Sequence, residues 1–178
     1  MRRQLFALLL VCASPSWAAE VRELTWSEMI PADAPPQEMT GQPIHDLSKL
    51  ADTLSAEMAP AVVQQSPAAP VVPALAGQNV KLPGYIVPLD VTEEGKVTEF
   101  LLVPYFGACI HVPPPPSNQI VLVKYPKGVE LEALYEPFWI QGPLKVESSS
   151  SELAEVGYQM TADDVYAYQM TNQYQLTN

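Results

Sequence analysis

Basic residues are scarce in this chain, and their scarcity excludes two classes of partner. The 178 residues include 9 Lys plus Arg against 20 Asp plus Glu, which gives a formal net charge of −11. A surface of this sign repels the phosphates of nucleic acids and the headgroups of anionic lipids. We therefore expect no nucleic-acid partner and no attachment to an anionic membrane surface.

Long apolar runs are missing as well. The run from Leu5 to Val11 is far shorter than the ~18 apolar residues that suggest a membrane-spanning helix, and no later run approaches that length. Arg2 and Arg3 precede this run, and small residues frame a cleavage site after Ala18, as in a secretory signal peptide. The sequence predicts export to the periplasm and a mature chain without a transmembrane segment.

Cleavage after Ala18 makes Ala19 the first residue of the mature protein and removes two positive charges with the signal peptide. The alternative is a lipoprotein attached through Cys12. Val11 argues against it, because the residue before a lipidated cysteine is usually smaller. Ordinary secretion is the preferred interpretation.

Cysteine is rare, and the signal peptide contains one of the two cysteines, Cys12. The mature chain then has a single thiol, Cys109, and cannot form an internal disulfide. In an oxidising compartment such a cysteine is buried and inert, bonded to another chain, or a ligand or nucleophile. The sequence leaves these possibilities open.

Proline is abundant, and the 19 prolines argue against a helical bundle because proline breaks helix interiors. Apolar residues recur at helical spacing between Pro43 and Pro60 and predict a short amphipathic helix from Ile44 to Met58. A polar arm precedes this helix, and its apolar residues are expected to lie on the surface of something larger. Those residues are Leu24, Trp26, Met29 and Ile30.

The chain is predicted to have five parts. These are a signal peptide (1–18), an N-terminal arm with the amphipathic helix (19–59), a linker rich in Pro, Ala and Val (60–78), a β-barrel domain (79–170) and a C-terminal tail (171–178).

The β-domain is predicted from apolar segments separated by turns. The five expected strands are Val80–Leu89, Thr98–Val103, Ile120–Tyr125, Phe138–Val146 broken at Gly142-Pro143, and Tyr158–Met160 continuing through Val165–Tyr168. The predicted fold class is mainly β, with a small five-stranded OB-like Greek-key barrel preceded by the arm, the short helix and the linker. A β-sandwich is the alternative. Bends expected at Gly84 and Gly142 favour the barrel, because closure needs strongly coiled strands.

The most distinctive segment is the box, residues 107–119, which reads Gly-Ala-Cys-Ile-His-Val-Pro-Pro-Pro-Pro-Ser-Asn-Gln. Its four prolines, Pro113, Pro114, Pro115 and Pro116, predict a polyproline II rod. If the chain entering the rod is extended, Cys109 and His111 project from the same face and share a hydrogen bond or a metal ion. Asn118 and Gln119 are expected to bind the free carbonyls of the rod.

Three interpretations of the pair remain open. Cys109 and His111 are metal ligands in the first, but a complete zinc site needs further ligands. His45, carboxylates such as Glu99, Asp163 and Asp164, or a partner are the possible sources. In the second, a buried thiol and a histidine anchor the rod to the body of the protein. The third is a thiol nucleophile, which lacks a recognisable oxyanion hole or a resolving cysteine.

The box, together with Leu82–Leu89 and Gln141-Gly142, resembles an uncharacterised family of exported bacterial proteins catalogued as a domain of unknown function. Its members are often encoded beside an ABC-type ATPase and permease and a His-rich periplasmic zinc-binding protein, in clusters induced by zinc shortage. The resemblance implies a non-catalytic accessory binding protein of a zinc-linked ABC transport system. It implies zinc as the metal, and the permease or the zinc-binding protein as partner. The alternatives are a structural adaptor without a metal site and a Cys-His thiol enzyme.

Overall fold

The fold is mainly β. A computed structural model describes residues 21–35, 63–109, 113–130 and 134–168. The strands are β1 (Arg22–Glu23), β2 (Asn79–Val91), β3 (Lys96–Val103), β4 (Val121–Glu130), β5 (Phe138–Lys145), β6 (Ser149–Ser150), β7 (Glu155–Val156), β8 (Tyr158–Thr161) and β9 (Asp164–Ala167). Three 3-10 turns accompany them at Trp26–Met29, Pro73–Leu75 and Ser117–Gln119.

Seven of these strands form one sheet in the order β1-β2-β3-β4-β8-β5-β9. The long strand β2 has two successive partners, because its Asn79–Gly84 half pairs with β5 and its Tyr85–Val91 half pairs with β3. Strands β4 and β8 are parallel, whereas β2, β3 and β4 follow one another antiparallel. The hydrogen-bonded pairing therefore runs from β2 through β3, β4, β8 and β5 and returns to β2.

The β2–β3 hairpin confirms the first two predicted strands and the turn between them. Gly95 closes that turn with a φ of +79°, where its lack of a Cβ is needed, and its amide donates to the Thr92 carbonyl at 3.0 Å. The predicted bend at Gly84 coincides with the residue after which β2 exchanges β5 for β3. A Cβ at Gly84 would lie 2.7 Å from the Val103 carbonyl oxygen, so the close approach of the two strands requires glycine.

Two details of the predicted strands are wrong. Strand β5 is not broken at Gly142-Pro143 but continues to Lys145, exchanging β2 for β8 as its partner beyond Pro143. The last predicted strand is in fact two strands, β8 and β9, which pair with different parts of β5. The turn between them is fixed because the amide of Asp163 donates to the Gln141 carbonyl at 2.8 Å.

The apolar residues of the N-terminal arm pack into the main core. Leu24 and Met29 are both 0% exposed and pack with the inward-facing residues of the sheet. Trp26 packs against the same core and donates its indole Nε1–H to the Pro83 carbonyl at 2.7 Å. Local composition does not reveal this packing, because the contacts of the arm are distant in sequence, as Pro83 is from Trp26.

Residues 63–78, expected as a semi-extended linker, are also fixed to the sheet. Leu75 is buried in the main core, and the Val72 amide donates to the Tyr158 hydroxyl at 2.7 Å. The same hydroxyl donates to the Met29 carbonyl at 2.8 Å. Tyr158 thus joins the arm, this segment and strand β8. The division of the chain into five parts stays a prediction.

Several predictions lie outside the described residues. They concern the signal peptide (1–18) with Cys12, His45 and the amphipathic helix Ile44–Met58, His111, and the tail 171–178. Within the described ranges, no helix has the length and apolar character needed to cross a membrane.

Candidate functional site

The box lies between β3 and β4, in a long connection that begins at Pro104 and ends in the 3-10 turn Ser117–Gln119. Its described residues are 107–109, which end at Cys109, and 113–119, which contain the proline rod. Cys109 has a φ of +67°, in the left-handed region that non-glycine residues rarely adopt. The backbone is therefore not extended at Cys109, and the period-2 argument that placed Cys109 and His111 on one face is wrong at this residue.

The Cys109 side chain is half-buried and unpaired with any other cysteine in the described chain. It packs against an outer cluster on the side of β2, β3 and β4 that faces away from the main core. The buried members of this outer cluster are Val87, Leu101, Val103, Ala108, Ile120, Leu122, Ala154 and Val156. Burial raises the pKa of the Cys109 thiol to about 12. The thiol is consequently protonated at neutral pH and is a weak nucleophile and a weak metal ligand in this state.

A metal site at Cys109 stays a prediction. His111, its expected partner, lies outside the described residues. Among residues 21–35, 63–109, 113–130 and 134–168, no group of three or more His, Cys, Asp or Glu side chains is arranged to hold a metal ion. Glu99, one of the carboxylates considered above, pairs with Lys124 at 3.4 Å.

The proline rod is buried and is held by residues of the segment 63–70. Pro114, Pro115 and Pro116 are buried, and Pro116 has φ −52° and ψ 148°, close to polyproline II geometry. The Gln64 amide Nε2 donates to the Pro115 carbonyl at 3.0 Å, and the Gln65 backbone amide donates to the Pro114 carbonyl at 3.4 Å. The Gln64 side chain therefore helps to hold the rod in place.

The Gln119 backbone amide donates to the Pro116 carbonyl at 2.8 Å, which confirms the predicted contact with the rod for this residue. The side chains of Asn118 and Gln119 bind carbonyls outside the rod. Asn118 Nδ2 donates to the Pro70 carbonyl at 2.7 Å, and Gln119 Nε2 donates to the Trp26 carbonyl at 2.9 Å. Both side chains are buried, at 0% and 1% exposure. These two bonds connect the segment 63–78 and the arm to the box. Buried side-chain amides need hydrogen-bond partners, and here backbone carbonyls from distant segments supply them.

An aromatic cluster that the sequence did not suggest lies beside the box. Phe106 contacts Tyr85 edge to face, with ring centroids 5.8 Å apart, and Tyr135 at 6.2 Å. Phe106 is 52% exposed and Tyr135 is 78% exposed, although both are large apolar side chains. We call Tyr85, Phe106 and Tyr135 the aromatic cluster.

Three tyrosines later in the chain behave differently. Tyr158 is 0% exposed, so it belongs to the core, whereas Tyr166 on β9 is exposed and Tyr168 packs on Trp139 with centroids 5.2 Å apart. The aromatic cluster was missed because its members come from a strand and two separate connections. The available signal was Phe106 itself, an aromatic residue in a turn where no periodicity requires one.

The arrangement suits binding better than covalent chemistry. The described part of the box contains a protonated thiol and a rod carbonyl that already accepts a hydrogen bond. Exposed aromatic rings lie beside it. Aromatic rings with one exposed face are common anchors in protein–protein interfaces.

Comparisons with known proteins support the resemblance to a domain of unknown function. A family described as a protein of unknown function (DUF3299) matches residues 26–167. Among solved structures, the chain is similar to a DUF3299 family protein from Pseudomonas aeruginosa PAO1, with 62% sequence identity and a TM-score of 0.72 over 84% of this chain and 97% of that chain. No match was found among curated proteins. With most of its length matched by the family and by a solved member, this chain belongs to the DUF3299 family.

Proposed function

We propose that this protein is an exported, non-catalytic accessory binding protein that contacts a protein partner through the aromatic cluster. The observation that carries the proposal is the exposure of Phe106 and Tyr135 beside the buried proline rod. The two rings contact each other, so both are held in position before a partner binds. Preorganised aromatic side chains lose little conformational entropy on binding.

An OB-type barrel is the fold we infer for the sheet, in preference to a sandwich. The return of the pairing from β5 to β2 and the parallel pairing of β4 with β8 support closure of the five strands. OB folds bind ligands on one face of the barrel and with the loops around it. Fold analogy alone does not name a ligand, and the net charge of −11 argues against the oligonucleotides that many OB folds bind.

The partner class comes from the family resemblance of the box. It points to the permease of a zinc-linked ABC transporter or to a periplasmic zinc-binding protein. Direct zinc binding by Cys109 and His111 is the competing proposal. Cysteine binds a metal ion as the thiolate, so direct zinc binding requires the Cys109 thiol to lose its proton. Burial raises the pKa of this thiol to about 12 and opposes that loss.

The test measures binding of the mature protein to these two partners from its own bacterium, each purified, by biolayer interferometry. We expect one of them to bind and the double substitution Phe106→Ser with Tyr135→Ser to weaken binding at least about tenfold, as loss of aromatic anchors does at other interfaces. The matched control is Tyr166→Ser, which removes an exposed aromatic ring outside the cluster and is expected to leave the affinity unchanged.

Elemental analysis of the protein taken directly from the periplasm distinguishes partner binding from direct zinc binding by Cys109 and His111. Stoichiometric zinc that is lost in both Cys109→Ser and His111→Ala variants would establish direct metal binding. Binding of neither partner, or equal losses in the cluster and control variants, would overturn the proposal.

A further inference from the structure

Two aromatic rings outside the aromatic cluster are each covered by a lysine of the same chain. The Lys81 Nζ lies 4.7 Å from the centroid of the Trp139 ring, and the Lys127 Nζ lies 5.6 Å from that of Tyr125. The face of an aromatic ring is electronegative and attracts a cation at this range. Lys81 also pairs with Glu23 at 3.1 Å, so a ring, a cation and a carboxylate occur together there.

The aromatic cluster has exposed rings and a neighbouring carboxylate, but no cation. Within residues 21–35, 63–109, 113–130 and 134–168, no lysine or arginine lies over Tyr85, Phe106 or Tyr135. Glu136 is exposed and directly follows Tyr135. The ion pairs among these described residues use other carboxylates, namely those of Glu23, Glu28, Glu99 and Glu130. The cluster therefore lacks the cation that Trp139 and Tyr125 receive from the chain itself.

Exposure alone does not distinguish the cluster, because Tyr166 is exposed too. Tyr166 is 42% exposed and has neither a covering cation nor a ring contact in the described part of the chain. Phe106, by contrast, contacts two rings, with interplanar angles of 69° to Tyr85 and 39° to Tyr135. These inclined rings are held together, so one long side chain can contact more than one of them.

The charge of the protein favours a cationic partner group at these rings. The chain has 9 Lys plus Arg against 20 Asp plus Glu, and its formal net charge is −11. Complementary charge speeds encounter and selects the partner. Of the two basic side chains, arginine has a planar, weakly hydrated guanidinium that stacks on aromatic faces, whereas the lysine ammonium is strongly hydrated. A guanidinium on a ring also keeps N–H donors for a carboxylate.

We propose that the aromatic cluster binds an arginine side chain of the partner protein. The guanidinium lies against the exposed rings of Phe106 and Tyr135, and Glu136 supplies the opposite charge. This inference rests on the proposed function, because it names the side chain of the partner that meets the cluster. It requires the partner to have an exposed arginine at its contact surface.

The experiment uses the full mature protein and three blocked pentapeptides, in which glycine alternates with arginine, lysine or citrulline. Citrulline has nearly the shape of arginine without its charge. The ring ¹H–¹³C NMR signals of Phe106 and Tyr135 are followed during each titration. We expect saturable shifts with the arginine peptide and an affinity about two- to fivefold lower for the lysine and citrulline peptides, as for an exposed cation–π contact. The lysine peptide has the same charge, so its weaker binding would exclude simple attraction to the net charge.

The first pair of variants tests the ring faces. Phe106→Leu with Tyr135→Leu keeps the net charge and the apolar character of both positions, and it is expected to remove the preference for arginine over lysine. These titrations are followed by the signals of the peptide, because the variant lacks both rings. The matched control Tyr166→Leu removes an exposed ring outside the cluster and is expected to keep the preference. The comparison of the three peptides on the unmodified protein does not depend on the folding of any variant.

A second pair of variants tests the carboxylate. Glu136→Gln is expected to weaken binding of the arginine peptide about twofold, in the range of exposed ion pairs. The matched control is Glu93→Gln, which removes the same charge from an exposed residue of the β2–β3 turn. Six residues of extended strand separate Tyr85 from the end of β2, which is about 20 Å. Equal weakening in the two variants would remove Glu136 from the site.

Several results would overturn the arginine site. They are the absence of saturable shifts at Phe106 and Tyr135, equal affinity for the arginine and lysine peptides, and an arginine preference that survives in the leucine variant. A leucine-containing peptide that binds as tightly as the arginine peptide would assign the cluster to an apolar side chain instead. If a purified partner binds through the cluster while the peptides show no arginine preference, the proposed function stands and this inference fails. If the arginine peptide binds as expected and neither partner does, the choice of partner fails and the arginine site stands.

Discussion

At the scale of single residues, Cys109 shows how the backbone and burial determine the chemistry of a side chain. Its left-handed backbone conformation departs from the extended path that was expected for the chain entering the rod. Its packing on the outer cluster shields the thiol from water. The neighbouring Tyr105 hydroxyl also has its pKa raised, first by burial and then by the Cys109 charge that would form. Both groups are therefore neutral at neutral pH, and burial is the cause for the thiol.

The pH dependence of Cys109 alkylation tests this description. A folded-state pKa of about 12, against an ordinary 9.0, means that the neutral thiol contributes stability that is fully present below the unfolded pKa. That contribution is lost as pH rises through the interval between the two values. We expect iodoacetamide to modify the folded protein with a pH midpoint well above that of the same protein in urea. A folded-state midpoint below that of the unfolded protein would contradict the burial argument and would favour the metal-ligand and nucleophile hypotheses.

The sequence identified the box but not its contacts. The types of residue in it predicted a rod without donors and a single thiol, and both are properties of the covalent chain. The partners of Asn118 and Gln119 are carbonyls of Pro70 and Trp26, which are 48 and 93 residues away. Contacts over such separations depend on the path of the whole chain and leave no local pattern.

At the scale of elements, alternation and turn chemistry located most of the sheet. The β2–β3 hairpin and strand β4 were predictable because apolar residues and a turn ending in Gly95 occur in the expected order. The continuity of β5 through Gly142-Pro143 was not predicted, because a Gly-Pro pair usually interrupts a strand. Here the pair lies where β5 exchanges one neighbour for another, and tertiary packing keeps the strand continuous.

Substitution of Gly142 tests whether the change of partner from β2 to β8 requires a residue without a side chain at this position. A Cβ at Gly142 would lie 2.7 Å from the Thr161 carbonyl oxygen and 3.2 Å from the Ala162 Cα, and neither atom belongs to a flexible side chain. We expect Gly142→Ala to lower the free energy of unfolding by about 1–3 kcal/mol, as overpacking does in other cores. Urea unfolding measures the change. The control Lys145→Ala alters an exposed residue of the same strand, and equal stability of the two variants would show that the strands separate without cost.

At the scale of the whole molecule, the sheet, the segment 63–78 and the arm share one core. Tyr158 donates to the Met29 carbonyl and accepts from the Val72 amide, so one buried hydroxyl connects all three. Burial raises the pKa of this hydroxyl, which keeps it a donor. The sequence indicated that the arm, the linker and the β-domain are separate parts because composition changes along the chain. The common core became visible only with the path of the backbone.

A shared core implies that the arm unfolds together with the sheet. In a mature Trp139→Phe variant, Trp26 is the remaining tryptophan, and its fluorescence reports on the arm while far-ultraviolet circular dichroism reports on the strands. Coincident urea transitions are expected for a two-state domain, because Leu24 and Met29 are part of the main core and Trp26 bonds to Pro83. Adding Tyr158→Phe to this variant leaves the Met29 carbonyl and the Val72 amide without their common partner. It is expected to lower both transitions together by about 1–3 kcal/mol. A fluorescence transition that precedes the loss of circular dichroism would instead mean that the arm is a separate covering layer, as its composition first suggested.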